Sequence, residues 1–333
     1  MTSSKQRELG LIADIGGTNA RFALTDWTAP EVEIIEPRSL PGAEFASLQH
    51  AAEHYLGEVG AKPRRAALAV ASPVDTDEIR LTNRAWSFSR ADLQRRLGLD
   101  ELRMLNDFGA VACAVPALKA EDRVHLYGPA HAQMRGPVSL VGPGTGLGIG
   151  LLVGSDADGW QAVETEGGHV TFAPIGDEEH RIARWLDARF GRASTERVLS
   201  GDGLSHIAAA LSGTDGGPRD GRNVPLRDPA DIVTAALDGH DLEARRALTR
   251  FCSVLGSVAG DTALIHGART VAIAGGIVPR FIPFLRSSAF RERFLAKGRF
   301  STWLEAVTIE VIVHPNPGLL GAAVALRQAH RGT

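Results

Sequence analysis

Strand-like and helix-like segments alternate along almost the whole of this 333-residue chain, which predicts an α/β fold. The length predicts two domains, since single cores stop growing at about 250–300 residues. A strand, a glycine-rich turn and a return strand occur near the N-terminus and again near residue 140, which predicts an internal duplication of one nucleotide-handling unit.

In chain order, residues 11–13 and 20–24 read as strands joined by the turn Gly16-Gly17-Thr18-Asn19, with a third strand at 31–35. A helix is expected over 43–60, a strand over 66–71, a helix over 90–98, and a strand over 102–106 that ends at Asn106-Asp107. The apolar run GAVACAVPAL then reads as a helix. The opening pattern returns as strands 138–141 and 147–153 around PGTG. The second half is more helical, with helical spacing in EEHRIARWLDARFG, from Glu196 to about residue 211, in PADIVTAALDG and over 242–266. Strands are expected at 271–274 and 307–313, and a final helix follows HPNPGLLG. Residues 212–230, rich in Gly, Pro and charge, read as a surface loop.

Bulk properties exclude several classes. Hydrophobic residues make up 44%, charged residues 23%, and the net charge is −3. The arginine pairs are scattered among acids rather than gathered in a stripe, which argues against nucleic-acid binding. No stretch approaches the roughly 18 apolar residues of a membrane span, and Asp14 interrupts the only N-terminal apolar run, so no signal-peptide core is expected. Cys113 and Cys252 lie far apart in apolar surroundings, outside any C-x-x-C, and read as buried free thiols of a cytoplasmic protein.

Five segments carry candidate chemistry. In LIADIGGTNARFAL, Asp14 ends a strand and Gly16 and Gly17 let the backbone approach an anion, with Thr18 and Asn19 as further donors. An aspartate beside such a turn is placed to hold magnesium directly or through water; an ordinary hairpin has the same pattern. In SLVGPGTGLGIGLLV, glycines at period two put Gly144 and Gly146 on one side of the chain, with Thr145 between them, open to phosphate. The series does not fit G-x-G-x-x-G, which removes a nicotinamide oxidoreductase, and no Walker-type G-x-x-x-x-G-K-[ST] occurs. Asp107-Phe108-Gly109 spells a protein-kinase motif, but its catalytic loop and strand lysine are missing, and the chain has four lysines in all.

Asn106-Asp107 closes a strand, where ligands gather in open α/β sheets. Asp107 can take the proton of an attacking alcohol, or it can cap the helix that follows. An aspartate of ordinary pKa, about 3.9, is a weak base, which phosphoryl transfer tolerates because positioning and charge neutralisation supply most of the catalysis. VETEGGHVTFAP offers Glu166 and His169 around two glycines, a carboxylate and an imidazole that can grip neighbouring sugar hydroxyls or form a plain polar loop. Glu196, in STERVLSGDG, is expected where a helix begins, a position at which the helix dipole alone favours an acid.

Taken together, DIGGTNAR, LTNRAWSFS, LNDFGAV, GPGTGLG, EGGHVTFAP, TERVLSG, AGGIVPRF and NPGLLG resemble, in order and spacing, the bacterial ATP-dependent glucokinase family over nearly the whole chain. The resemblance implies a two-domain actin-like ATPase (ribonuclease H-like) fold with an active-site cleft between domains. Residues 1–117 plus 318–333 would form the small domain and 118–317 the large one. It implies that MgATP and D-glucose give ADP and glucose 6-phosphate for glycolysis, with the domains closing on the sugar. Asp107 would be the base, and Asn106, Asp107, Glu166, His169 and Glu196 would hold the sugar. The turns Gly16–Asn19 and Gly144–Gly146 would hold phosphates, Gly275 and Gly276 would lie against adenosine, and Asp14 would sit near magnesium. A homodimer is also implied. Pro143 and Thr171 depart from the family pattern without touching a sugar ligand. A Cys-rich repressor/kinase relative is a poor match. The rivals are a kinase of mannose or fructose and a non-catalytic sugar sensor.

Overall fold

A computed structural model describes residues 7–81, 86–130, 134–212 and 225–331. Most of the expected LTNRA segment and of the loop expected at 212–230 lie outside them. By its contacts the chain divides into two compact units, one of residues 1–119, 159–164 and 314–333, the other of residues 120–158 and 165–313. Residues 159–164 thus group with the first unit although they interrupt the sequence of the second.

In the first unit, β1 (Leu9–Ile15) pairs antiparallel with β2 (Asn19–Asp26), and β3 (Ile35–Pro41) adds to β2. After α1 (Leu48–Val59), β4 (Arg65–Val70) runs parallel to β1. A small hairpin of β5 (Glu78–Arg80) and β6 (Ser87–Ser89) and helix α2 (Arg90–Arg96) lead to β7 (Glu101–Asn106), parallel to β4. The sheet order is β3-β2-β1-β4-β7. Strand β1 is apolar nearly throughout because helices cover both its faces. Leu11, Ala13 and Ile15 pack with Leu48, Ala51 and Tyr55 of α1, while Ile12 packs with Leu319, Ala322 and Leu326 of the C-terminal helix (Pro317–Arg331). That helix also crosses α3 (Asp107–Ala114), where a side chain on Gly321 would overlap the Ala110 carbonyl.

The third strand departs from expectation. It was expected at 31–35 and lies at Ile35–Pro41, a polar segment with two prolines that the sheet accepts because β3 is an edge strand.

The second unit opens with β8 (Arg123–Tyr127), β9 (Val138–Pro143) and β10 (Leu147–Ser155); β11 (Gly159–Thr165) comes next in the chain, all but its last residue grouping with the first unit. Helices α4 (Gly176–Phe190), α5 (Gly201–Leu211), α6 (Pro229–Asp238) and α7 (Leu242–His266) come next. Strand β12 (Thr270–Ile273), the short helices α8 (Ile282–Ser287), α9 (Phe290–Leu295) and α10 (Ser301–Glu305), and β13 (Thr308–Ile312) complete it. Strands follow one another as β10-β9-β12-β13-β8, with β9, β12 and β13 parallel and β10 antiparallel to β9. This repeats the β2-β1-β4-β7 series of the first sheet, so the duplicated hairpin of the sequence is a duplicated sheet topology.

The helix ends follow from side chains. Asp228 accepts from Ala230 N and Asp231 N ahead of Pro229, Ser200 from Gly203 N, and Asp241 from Ala244 N. Gly191, Gly239 and Gly267 close α4, α6 and α7 in the left-handed conformation. Helix α7 buries Leu248, Phe251, Cys252, Leu255 and Ala259 in the core of the unit. Cys113 and Cys252 are free and buried, and burial pushes their thiols up to about 11 and about 12, which leaves both inert as nucleophiles. No helix among the described residues is long and apolar enough to cross a membrane.

Candidate active site

In the first unit, Asp14 is the penultimate residue of β1, and the turn closes with Gly16 N donating to Asn19 O at 3.0 Å. Asn19, expected inside the turn, is the first residue of β2. The ladder sets Arg21 directly opposite Asp14, and Arg21 Nη1 reaches Asp14 Oδ2 at 3.4 Å. Burial pushes the Asp14 carboxyl above its ordinary range, against the pull of Arg21. The start of the C-terminal helix lies against the same carboxylate, and a Cβ on Gly318 would stand 2.8 Å from Asp14 Cγ. Gly318 belongs to the NPGLLG segment, to which the sequence assigned no chemistry.

Strand β7 delivers Asn106 and Asp107 to the start of α3. The capping residue is Asn106 rather than Asp107: its Oδ1 accepts from Phe108 N at 2.9 Å and Gly109 N at 3.3 Å. That leaves Nδ2, which lies 3.5 Å from Ser72 O, as the side-chain donor of Asn106. Asp107 is the first helical residue, and its Oδ1 accepts from Phe108 N at 2.8 Å. Glu164 approaches the same turn, with Asn106 N donating to its Oε1 at 2.9 Å. Glu164 was passed over in the sequence.

In the second unit, the turn between β9 and β10 is tied by Gly144 N to Gly146 O at 2.8 Å, and Gly201 N of α5 donates to Gly144 O at 2.8 Å. Thr145 is exposed at its tip. Glu196 closes on this turn, accepting from Leu147 N at 3.0 Å through Oε2. A Cβ on Gly146 would stand 2.5 Å from that oxygen, so glycine is what lets the carboxylate seat there. His169 stands between two acids, with Nδ1 3.8 Å from Glu196 Oε1 and Nε2 3.8 Å from Glu166 Oε2. Gly168 permits the close approach of this loop to β10, where any side chain would overlap the Leu147 carbonyl. Glu166, His169 and Glu196, expected together, are together.

Glu196 does not begin a helix as expected. It lies in the turn before α5, held by Glu196 N to Gly168 O at 2.9 Å, and Ser200 caps the helix. Gly275 has φ 89°, and a side chain on it would overlap the Pro143 carbonyl; Gly276 beside it has open space. Gly275 therefore packs against the end of β9.

Arg192 was also missed. Its Nη2 donates to His169 O at 2.7 Å and reaches Thr171 Oγ1 at 3.4 Å, a pairing across more than twenty residues that local pattern does not reveal. A cavity of about 280 Å³ in this unit is lined by Thr145, His169, Arg192, Glu196, Arg197 and His206, among others. Arg197 stacks on Phe190 at 3.8 Å, and burial lowers the His206 pKa, which favours its neutral form. This unit thus joins a carboxylate–imidazole–carboxylate cluster, suited to hydroxyl groups, directly to a glycine turn suited to phosphate.

Comparison with known proteins gives the family and the fold. A family model described as Glucokinase matches residues 11–329. The chain is 42% identical over 320 residues to a glucokinase of Tolumonas auensis, covering 96% of this chain and 97% of that protein. A solved glucokinase from an Antarctic psychrotroph superposes with a TM-score of 0.82 at 36% identity, covering 97% of this chain and 100% of that one. A glucokinase of the ROK family from Streptomyces griseus, solved with glucose and AMPPNP, shares the fold at a TM-score of 0.64 and 19% identity, over 96% of this chain and 99% of its own.

Proposed function

The chain belongs to the glucokinase family, and we propose that it transfers the γ-phosphoryl group of ATP to the 6-hydroxyl of D-glucose with Asp107 as the base. Its fold is the two-domain α/β fold of the actin-like ATPases. The observation that carries the reading is the contact of Glu196 with both groups in the second unit, the sugar-binding cluster through His169 and the phosphate turn through Leu147 N.

In this reading Asn106 donates to the sugar through Nδ2, while Glu166, His169 and Glu196 accept from and donate to its ring hydroxyls. Asp107 takes the proton of the 6-hydroxyl as O6 bonds to the γ-phosphorus. The bond from that phosphorus to the β-phosphate oxygen breaks, releasing ADP. The turns Gly16–Asn19 and Gly144–Gly146 present N–H groups to the phosphates, and Gly275 and Gly276 leave room for adenosine. Magnesium fits Asp14, because a carboxylate that burial disfavours and one long arginine contact partly offsets gains from a further cation. The ion would neutralise phosphate charge as it develops in the transition state. The cytoplasm is the proposed compartment, in keeping with two free buried thiols. A homodimer is the proposed assembly, on the family resemblance alone.

Glucose, mannose and fructose present similar hydroxyl patterns, so substrate identity is a matter of competition. With equal concentrations of the three and limiting MgATP, glucose 6-phosphate should dominate the products. Another hexose phosphate in excess would keep the chemistry and replace the substrate.

A further inference from the structure

The Asn106-Asp107 turn has a support that the reaction as described does not use. Strand β7 is the edge of its sheet, so among the described residues no strand pairs with the N–H groups on its outer side. At its last residue the need is met from far away in sequence, with Asn106 N donating to Glu164 Oε1 at 2.9 Å across 58 positions. The carboxylate lies over the first turn of α3. A Cβ on Gly109 would stand 2.7 Å from Glu164 Cγ and 2.9 Å from Cδ, so the glycine keeps the place for it. An acid at a helix N-terminus is also favoured by the helix dipole. Glu164 and α3 both belong to the first unit.

We propose that Glu164 is a positioning residue for phosphoryl transfer: by holding the Asn106 backbone, it fixes the direction in which the next residue, Asp107, presents its carboxylate. Asn106 has extended backbone angles, φ −62° and ψ 147°, and the following peptide enters the helix. A rotation at this junction swings Asp107 relative to the attacking hydroxyl, and a displacement of about 1 Å in a reacting group costs on the order of 10²-fold in rate. The inference rests on Asp107 being the base.

The test uses full-length Glu164→Ala, Glu164→Gln and Gly109→Ala beside Asp107→Asn, with kcat, glucose Kd and melting temperature read for each. Glu164→Ala should lose roughly 10- to 100-fold in kcat while glucose Kd stays within about threefold, since positioning acts on the reacting atom. Glu164→Gln keeps an acceptor oxygen at the same reach and should recover kcat to within about threefold of the parent. Gly109→Ala, which displaces the carboxylate without removing it, should lower kcat in the same direction. A Glu164→Ala enzyme with kcat within about threefold of the parent would overturn the proposal, as would a Glu164→Gln loss equal to that of alanine. A glucose Kd that weakens in step with kcat would also overturn it, because the residue would then act in binding. If Glu164→Ala does not fold, the Gln and Gly109→Ala variants decide. Failure of the base reading shows separately, as near-normal turnover in Asp107→Asn.

Discussion

Replacing Asp107 by Asn should lower kcat by about 10²–10⁴, the usual range for losing a positioned general base, with glucose affinity within about threefold of the parent. The substitution isolates the proton transfer. Asn keeps an Oδ1 that can accept from Phe108 N, now at 2.8 Å, and the helix cap is the neighbouring Asn106. The fold should therefore survive, with an unchanged melting temperature. Turnover is checked by initial rates at saturating MgATP and affinity by calorimetric titration with glucose. A variant that turns over near the parental rate would remove Asp107 from the chemistry.

The largest expected effect on stability lies at Glu179. This carboxylate is fully buried and accepts from Ile175 N at 2.8 Å, from Arg250 Nη1 at 3.1 Å, and from Arg293 at 2.8 and 3.1 Å. Arg293 is further held by Ser257 Oγ at 2.9 Å, and Arg250 also pairs with Glu178. The network ties α4, α7 and α9 together and anchors the end of the segment that carries His169. Glu179→Ala would leave two arginines in or near the interior short of their shared counter-charge, at a cost of about 3–5 kcal/mol. For a unit of this size that is a fall in melting temperature of roughly 6–20 °C. Glu179→Gln, which keeps the acceptor but not the charge, should fall between. A melting temperature within 2 °C of the parent for the alanine variant, on the order of half a kcal/mol, would contradict the role assigned to the network.

What could be read from the chain follows from how local each signal is. Helix α7 was legible because its apolar spacing is contained in the sequence it spans; Asp241 and Gly267, which cap and stop it, adjoin that sequence. The hairpins at Gly16 and Gly144 were legible because an apolar run, a glycine turn and a second apolar run need no distant partner. Strand β3 was misplaced because an edge strand facing solvent has little apolar alternation to show. Strand β11, with its alternating half-exposed residues, was not found at all.

The same distinction divides the site. Glu166 and His169 share one loop and could be paired on sight. Glu196 joins them through Leu147 N and Gly168 O, contacts that no local rule predicts, and it was assigned to the sugar only through the family resemblance. Asp107 was open to two readings, base or cap. The structure gives the cap to Asn106, while Asp107 Oδ1 accepts from Phe108 N at 2.8 Å; its part as base belongs to the proposed reaction. Glu164 and Arg192 act on backbone atoms of their neighbours, Asn106 N and His169 O, and groups of that kind become visible only once the chain is folded.

The most direct test of the account is a coupled assay of the purified protein with MgATP and glucose that follows ADP and sugar phosphate together. ADP and glucose 6-phosphate should appear one for one, and neither should form when glucose or ATP is withheld. Glucose binding without ADP formation would contradict it and make the protein a sugar sensor.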